Sequence, residues 1–584
     1  HFLIISNIFK HFEKSNKKII PWYDYILMIL SVIIPVYIWT NYQSIIDRVG
    51  DANPTDVILG TILVFLVLEA ARRITGWALP IIGIIFIIYS LMGTRQGIIP
   101  INIPGIFFHR GFQWNKLIGH LFSNTEGIYG TSVNVSSTYI FLFIVFGEVM
   151  NKSGMGKFLN DISIGLAGHT KGGPAKVAVI ASGLLGSING SAVANVVTTG
   201  TFTIPLMKKV GYSKEFAGAV ESTASVGGQL LPPIMGATAF IMAETLGIQY
   251  REIVIAAAIP AIIYYLGIIF QIQLKASKED LGGMSKEDLP SLSETLKNYW
   301  HLTIPILFLV YMLFFSGFTV IRGAFFTIIL TIIVAQLRKK TRMSIKDIQD
   351  AFISSAKSTV ATAIACACVG IVIGVSSLTG FTINMASAII SLGSTSLLLT
   401  LLFTMISCMI LGMGLPSIPA YIITSTIAAP ALVRLGVIPL AAHLFCFYFA
   451  MFANITPPVA LASFAAAGIS GANPMKTGIV SVKLALAGFI VPYMFIYNNQ
   501  LLLINTNIIQ GIQVTITACV GVFLISSSVE GYLYRKLSIL MRIFMMAGAF
   551  LLINSSTLTD LVGIGVFLII LLYEKFISKK AACR

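Results

Sequence analysis

Apolar residues run through this chain in long blocks. They occupy 25–40, 57–70, 76–92, 128–150, 216–231, 234–246, 253–271, 301–316, 318–337 and 353–375, and again 511–528, 537–553 and 558–573. Many approach the roughly 18–20 residues that cross a ~30 Å hydrocarbon core as a helix. Short basic or Gly/Pro-containing segments separate them. The pattern predicts an all-α polytopic membrane protein, embedded in a lipid bilayer.

Composition closes off the alternatives. Of 584 residues, 56% are hydrophobic and 11% are charged, against about 25% charged in soluble proteins. The mean hydropathy is +0.88. A water-soluble enzyme, a nucleic-acid binder and a disordered chain are excluded. The net charge of +16 reads as topology, because basic residues collect in cytoplasmic loops. Lys10, Lys14, Lys17 and Lys18 place the N-terminus inside, and Arg72-Arg73, Lys152, Lys157 and Arg338-Lys339-Lys340 mark further inner ends. Arg535-Lys536 and the lysines at 575–580 put the C-terminus inside as well. The segment 94–124 carries Arg95, Arg110 and Lys116 beside Phe107, Phe108, Phe112 and Trp114, a mixture suited to the headgroup layer. The first 20 residues are basic and show no small-residue cleavage site, so no signal peptide is expected. The cysteines form no Cys-x-x-Cys pair and no disulfide framework, and Cys366 and Cys368 point to different helix faces. No Walker loop, His-Glu-x-x-His or Gly-x-Ser-x-Gly is present, so neither ATP use nor an enzyme is expected.

The stretch from Lys171 to Lys209 breaks the simple count of crossings. Lys171 and Lys176 precede it and Lys208 and Lys209 follow it, so both ends look cytoplasmic. The apolar residues between them are interrupted at Ser187-Ile-Asn-Gly-Ser191. Two half-helices of ~15 residues reach ~22 Å each. A re-entrant hairpin over about 174–207 fits both length and charge, and such backbone is tolerated only where protein or water covers it.

A shift of 225 residues brings two parts of the chain into register (457 − 232). Pro232-Pro233 falls on Pro457-Pro458, Pro205 on Pro430 and Gly211 on Gly436. Thr199, Thr201, Ala217 and Ala237 fall on Thr424, Thr426, Ala442 and Ala462. Four of these eight identities are Pro or Gly, the residues that punctuate backbone. The second hairpin is expected over about 394–433, broken at Gly412-Met-Gly414-Leu-Pro416-Ser417, with only Arg434 at its flanks. Few positive charges suggest the outer side, which makes the repeat an inverted one. Paired breaks in two inverted halves are a sequence pointer to the midplane site of a transporter.

The break residues are neutral. They are Ser187, Asn189, Gly190 and Ser191, then Ser222, Ser225, Gly227, Gly228 and Gln229 before Pro232. In the second half they are Gly412, Gly414, Ser417 and Tyr421, then Asn454 and Thr456 before Pro457. Proline frees carbonyl groups. Freed carbonyls with Ser, Thr and Asn oxygens make a hard-oxygen site suited to Na⁺, and half-helix N-termini hold an anionic group without arginine. Close helix packing through small residues is the plain alternative for any one of these positions. Glu69, Glu148 and Glu244 read as interfacial. Glu221 stands inside a run, one turn from Ser225, where an acid marks either an ion path or a satisfied hydrogen bond. His443 reads as a packed histidine.

The motifs Gly186-Ser-Ile-Asn-Gly-Ser-Ala-Val-Ala-Asn195, Ile204-Pro-Leu-Met-Lys-Lys-Val-Gly-Tyr212, Leu230-Leu-Pro-Pro233, Leu411-Gly-Met-Gly-Leu-Pro416 and Asn454-Ile-Thr-Pro-Pro458 resemble the large membrane subunit of tripartite ATP-independent periplasmic (TRAP) transporters. The likeness covers about residues 120–500. The N-terminal crossings resemble the small membrane subunit fused in front, and Thr125-Glu-Gly-Ile-Tyr-Gly130 with this layout resembles the TAXI branch. The resemblance implies a permease of a bacterial or archaeal cytoplasmic membrane. It would import a small organic acid with Na⁺, taking it from an extracytoplasmic TAXI-type solute-binding protein, by elevator movement of the hairpins against a scaffold. It implies a scaffold over 1–125, one repeat over 126–274, a cytoplasmic linker over 275–300, a second repeat over 301–500 and extra helices over 501–584. Carried over by motif, one Na⁺ site takes Ser187, Asn189 and the Gly227-Gly228 bend; the other takes Gly412, Gly414, Asn454 and Thr456. Substrate lies between the tips, near Ser187, Asn189, Ser191, Ser225, Gln229, Ser417, Tyr421 and Thr456. Glu221, Pro232, Pro233, Pro457 and Pro458 are coupling or structural positions. Two departures stand out: the first tip holds Asn189 where relatives have a run of small residues, and the fourth small-subunit crossing is weak, at about 114–124. The rival is a stand-alone ion-coupled dicarboxylate-type carrier that needs no binding protein.

Overall fold

The computed structural model describes residues 21–582 apart from 49–50, 102, 286, 288, 394–395 and 554–556. Lys10, Lys14, Lys17 and Lys18, and the first residues of the second expected hairpin, lie outside the described residues. Among the described residues there is no β-strand, only two isolated bridge pairs. Apart from its first and last turns, a helix pairs its backbone polar groups within itself, which is what a bilayer demands. Among the described residues six helices are long and apolar enough to cross a membrane: Trp22–Thr40, Thr131–Lys152, Tyr250–Lys278, Ile345–Thr379, Pro474–Tyr497 and Ile508–Glu530.

The N-terminal part holds α1 (Trp22–Thr40), α2 (Pro54–Thr75), α3 (Ala78–Leu91) and α4 (Trp114–Ser123). Asn53 and Asp56 form a capping box at the start of α2, with Pro54 as its first residue, and Arg72 and Arg73 occupy its last turn. Those arginines share Glu69, and Arg73 reaches Asp24 of α1 at 2.7 Å. Helix α4 has ten residues, about 15 Å at 1.5 Å per residue, too short to span. Its buried face of Leu117, Ile118, Leu121 and Phe122 lies on α2, where Gly60 lets Ile118 and Phe122 approach.

Next come α5 (Thr131–Lys152), α6 (Met155–Ala167), α7 (Gly173–Asn189), α8 (Ala192–Lys209), α9 (Lys214–Gly228), α10 (Thr238–Leu246) and α11 (Tyr250–Lys278). Helices α12 (Leu292–Tyr299), α13 (Thr303–Phe314) and α14 (Val320–Ala335) connect to α15 (Ile345–Thr379) and α16 (Phe381–Gly393). Then follow α17 (Leu397–Gly412), α18 (Ser417–Arg434), α19 (Pro439–Phe452), α20 (Leu461–Ser470) and α21 (Pro474–Tyr497). The helix limits recur at one spacing: α8 and α18 stand 225 residues apart at both ends (417 − 192, 434 − 209), and α9 and α19 begin 225 apart (439 − 214). The turns recur too. Positive φ falls on Met235 and Ala460, and on Gly211 and Gly436, again 225 apart (460 − 235, 436 − 211). Both Pro-Pro bonds are cis.

Three more helices close the chain, α22 (Ile508–Glu530), α23 (Ile539–Ile553) and α24 (Thr557–Ala582). Helix α22 packs along α11. Glu530, nearly buried, joins it to the bundle through Lys278 of α11 at 3.1 Å and Lys483 of α21 at 3.5 Å.

Candidate functional site

The first break lies where Gly190 takes φ of +65° and ends α7. Ser191 is extended and caps α8, its Oγ accepting from the Ala194 N–H at 3.4 Å. This turn rests on the bend that follows α9, backbone against backbone. A Cβ on Gly190 would stand 2.7 Å from Gly236 Cα, and a Cβ on Gly228 would stand 2.6 Å from Gly186 Cα. Glycine is required at both contacts because nothing there can rotate away.

At the second break α17 ends at Gly412, Gly414 takes φ of +73°, and Pro416 leads into α18. One side chain joins the two breaks. The Gln229 amide nitrogen donates to the Gly190 carbonyl at 2.8 Å and to Ser417 Oγ at 2.6 Å. Its own oxygen and Asn195 Oδ1 are buried without a partner, the state that a bound ion or water relieves.

Between the breaks lies a cavity of about 500 Å³. Asn189, Gly190, Ser191 and the first turn of α8 line one side, and Pro416, Ser417 and the first turn of α18 line another. Asn454, Ser358 and Thr362 of α15, and Glu148 and Asn151 of α5 complete it. Two helix N-termini therefore face one cavity, with unpaired N–H groups and positive dipole ends. Among the described residues Glu148 is the sole ionisable side chain lining it, and no lysine, arginine or histidine does. Among the described residues no three His, Cys, Asp or Glu side chains cluster as a metal site. At the breaks themselves a cation meets the neutral oxygens of Asn189, Ser191, Ser417 and Asn454.

The structure brings Asn189, Gly190, Ser191, Ser417 and Asn454 to the cavity and puts the other residues selected from the sequence elsewhere. Ser187 is buried and donates to the Leu184 carbonyl at 2.8 Å, leaving its lone pairs available. Ser225 lies beneath the tip, accepting from Asn195 Nδ2 at 3.0 Å. Gly227 lies against the Tyr264 and Tyr265 rings, and Gly412 against Ala450 and Ala453. Thr456 Oγ1 donates to the Phe452 carbonyl at 2.8 Å. Gly414 sits 3.5 Å short of Val459 for an added Cβ. Tyr421 is wholly buried, its hydroxyl bonded to His443 Nδ1 at 2.9 Å, so the pair packs the core rather than lining the cavity. Glu221 is wholly buried among hydroxyls. Pro232-Pro233 and Pro457-Pro458 stand in the bends after α9 and α19. Sequence reasoning passed over Asn151, Ser358 and Thr362, and put Glu148 at the interface. Asn151 reaches Asn189 Oδ1 at 3.4 Å. The signal was there: Glu148 and Asn151, and Ser358 and Thr362, stand three and four residues apart, on one helix face each.

Residues 62–509 match the family model described as "Tripartite ATP-independent periplasmic transporter, DctM component". The match begins within α2, so it takes in part of the segment before residue 126. A protein of Haemophilus influenzae named as a TRAP transporter large permease is 25% identical over 333 residues, covering 54% of this chain and 74% of that protein. The 2,3-diketo-L-gulonate TRAP transporter large permease YiaN of Escherichia coli is 24% identical over 182 residues, 30% of this chain and 42% of its own length. The C4-dicarboxylate TRAP transporter large permease DctM of Pseudomonas aeruginosa is 26% identical over 183 residues, 31% and 42% of the two chains.

Proposed function

As the chain belongs to the DctM component family of tripartite ATP-independent periplasmic transporters, a family of transporter permeases, we propose that it imports a small organic acid by Na⁺-coupled secondary transport. The acid is handed over by an extracytoplasmic solute-binding protein of the TAXI type. The observation that carries this reading is the cavity between the breaks, lined by the starts of α8 and α18 and free of basic side chains. A carboxylate placed there is held by helix N-termini and neutral N–H and O–H groups. Na⁺ supplies the positive charge that the side chains do not.

Under this reading the Na⁺ ligands at the first break are Ser187, Asn189 and the carbonyls of the Gly227-Gly228 bend. At the second they are Gly412, Gly414, Asn454 and Thr456. Helices α7 and α8, and α17 and α18, are re-entrant hairpins of two inverted repeats. They move as an elevator against a scaffold that includes the fused small-subunit-like helices α1–α4. The protein sits in a bacterial or archaeal cytoplasmic membrane with both termini inside. The DctM and YiaN relatives, named for C4-dicarboxylate and 2,3-diketo-L-gulonate, support a carboxylate as cargo.

The test is uptake of radiolabelled organic acids into proteoliposomes, with and without an inward Na⁺ gradient and with and without the cognate binding protein. Uptake is expected to need both. Uptake without the binding protein would replace this reading with the stand-alone carrier. Asn454→Ala is expected to abolish Na⁺-dependent uptake in folded protein, and normal uptake would sink the second Na⁺ site.

A further inference from the structure

Glu221 lies in the middle of α9 with no exposed surface. Four hydroxyls surround its carboxyl group. Ser182 of α7 donates to Oε1 at 2.5 Å and Ser225 of α9 to the same atom at 3.4 Å. Thr199 of α8 bonds Oε1 and Thr203 of α8 bonds Oε2. The group thus ties both helices of the first hairpin to α9.

Among the described residues its side-chain partners are these four hydroxyls, and no lysine, arginine or histidine forms an ion pair with it. Five helices pack on α9. Helix α11 presents Tyr264 and Tyr265, whose hydroxyls are spent on the Thr223 and Ala224 carbonyls at 2.8 and 2.7 Å. Helix α7 carries Lys176 in its first turn, bonded to Thr170 and Gln273. Helix α8 carries Lys208 and Lys209 in its last turn, with Lys208 on the Ser470 carbonyl. Helix α21 carries Lys476 near its start and Lys483 on Glu530. Helix α20 has no ionisable side chain. Helix α9 itself holds Lys214 and Glu215 in its first turn.

Three of the hydroxyls have a second partner in place. Ser182 Oγ and Thr199 Oγ1 lie 2.9 Å apart, Thr199 also faces the Asn195 carbonyl at 2.7 Å, and Thr203 faces the Thr199 carbonyl at 3.1 Å. A hydroxyl proton rotates to suit its neighbours. With Glu221 ionised, all four protons turn toward the carboxylate. With Glu221 protonated, its O–H donates to Thr203 Oγ1, and the Thr203 proton turns to the Thr199 carbonyl. Neither state leaves a polar group unpaired, and neither needs a heavy atom to move.

We propose that Glu221 is a proton-binding site, so that this protein binds H⁺ within the first hairpin unit in addition to any ion held at the breaks. One proton joins the carboxylate to form a neutral carboxyl group and leaves from the same oxygen. The Na⁺ reading above is neither assumed nor required.

Infrared difference spectroscopy on the purified full chain in lipid nanodiscs, titrated between about pH 5 and pH 9, tests this directly. The wild type is expected to show a carboxylic C=O band that gives way to carboxylate bands over about two pH units around one midpoint, and Glu221→Gln is expected to lack it. A Glu221→Gln difference with no titrating carboxyl would overturn the proposal. Thr203→Val, which removes a donor to the charged form, keeps the carboxyl and should raise the midpoint; an unmoved midpoint would also overturn it. Because no substrate, Na⁺ gradient or binding protein enters the measurement, its failure leaves the transport reading untouched, and the failure of transport leaves this one untouched.

Discussion

Replacing Gly228 by alanine adds one carbon where two backbones already touch. The new Cβ would stand 2.6 Å from Gly186 Cα, 2.8 Å from the Gly186 carbonyl carbon and 3.1 Å from the Ser182 oxygen. Carbon atoms prefer about 3.5–4.0 Å, so α7 and the end of α9 would have to part by roughly 1 Å. Helix α7 is not free to give way, because the Ser182 carbonyl accepts from Asn195 Nδ2 at 3.0 Å and Ser182 Oγ holds Glu221. Overpacking costs about 1–3 kcal/mol. With only backbone to yield, the cost should reach about 2 kcal/mol or more, a shift of roughly thirtyfold in the folding ratio. Gly468 is the control: it is an exposed residue of α20, and a Cβ there meets nothing within 4 Å. Alanine at that point should gain up to ~1 kcal/mol from helix propensity. The assay is thermal denaturation of both variants in one detergent, followed by tryptophan fluorescence and by the fraction that stays monodisperse. Gly228→Ala should melt below wild type, and Gly468→Ala at or above it. Gly228→Ala melting with wild type would refute the packing of the hairpin tip on this bend.

Gln229→Leu removes both hydrogen bonds that join the breaks and leaves the half-buried Gly190 carbonyl without its donor. It should cost about 1–3 kcal/mol and raise the Na⁺ concentration needed for half-maximal uptake; an unchanged Na⁺ titration would refute the link. Gly414→Ala has room but must hold φ near +73°, at a cost of about 1–2 kcal/mol, seen as a lower melting temperature. Single cysteines at Lys176 and Lys208 should both label from the cytoplasmic side, and labelling of either from outside would refute a re-entrant hairpin. Glu530→Ala leaves the partly exposed Lys278 and Lys483 without their carboxylate, which should cost up to about 1 kcal/mol and speed proteolysis between α22 and α23.

Sequence reached the positions where backbone is special and stopped where side chains from distant helices meet. The breaks at Gly190 and Gly414 were legible because glycine and proline punctuate helices in any context. So was Glu221, since an acid inside an apolar run stands out by itself. The partner of Ser417 was not legible, because Gln229 lies 188 residues earlier and only the folded chain sets them face to face. Tyr421 carried the composition of a site residue and turned inward to His443, a choice fixed by helix rotation. Asn151, Ser358 and Thr362 were missed because they sit on unbroken helices, where a polar residue reads as packing until a cavity is found beside it.

The Gln229 amide has a thermodynamic corollary. It gives one proton to the turn of the first hairpin and one to the start of α18. A ligand that draws on either acceptor changes what the other end of the amide can hold. Linkage makes that influence symmetric in free energy. The factor by which occupancy at the first break alters affinity at the second must therefore equal the factor measured in the opposite direction, and a single pair of binding isotherms, taken with one ligand fixed and then the other, reads out the strength of one hydrogen-bonded side chain as cooperativity.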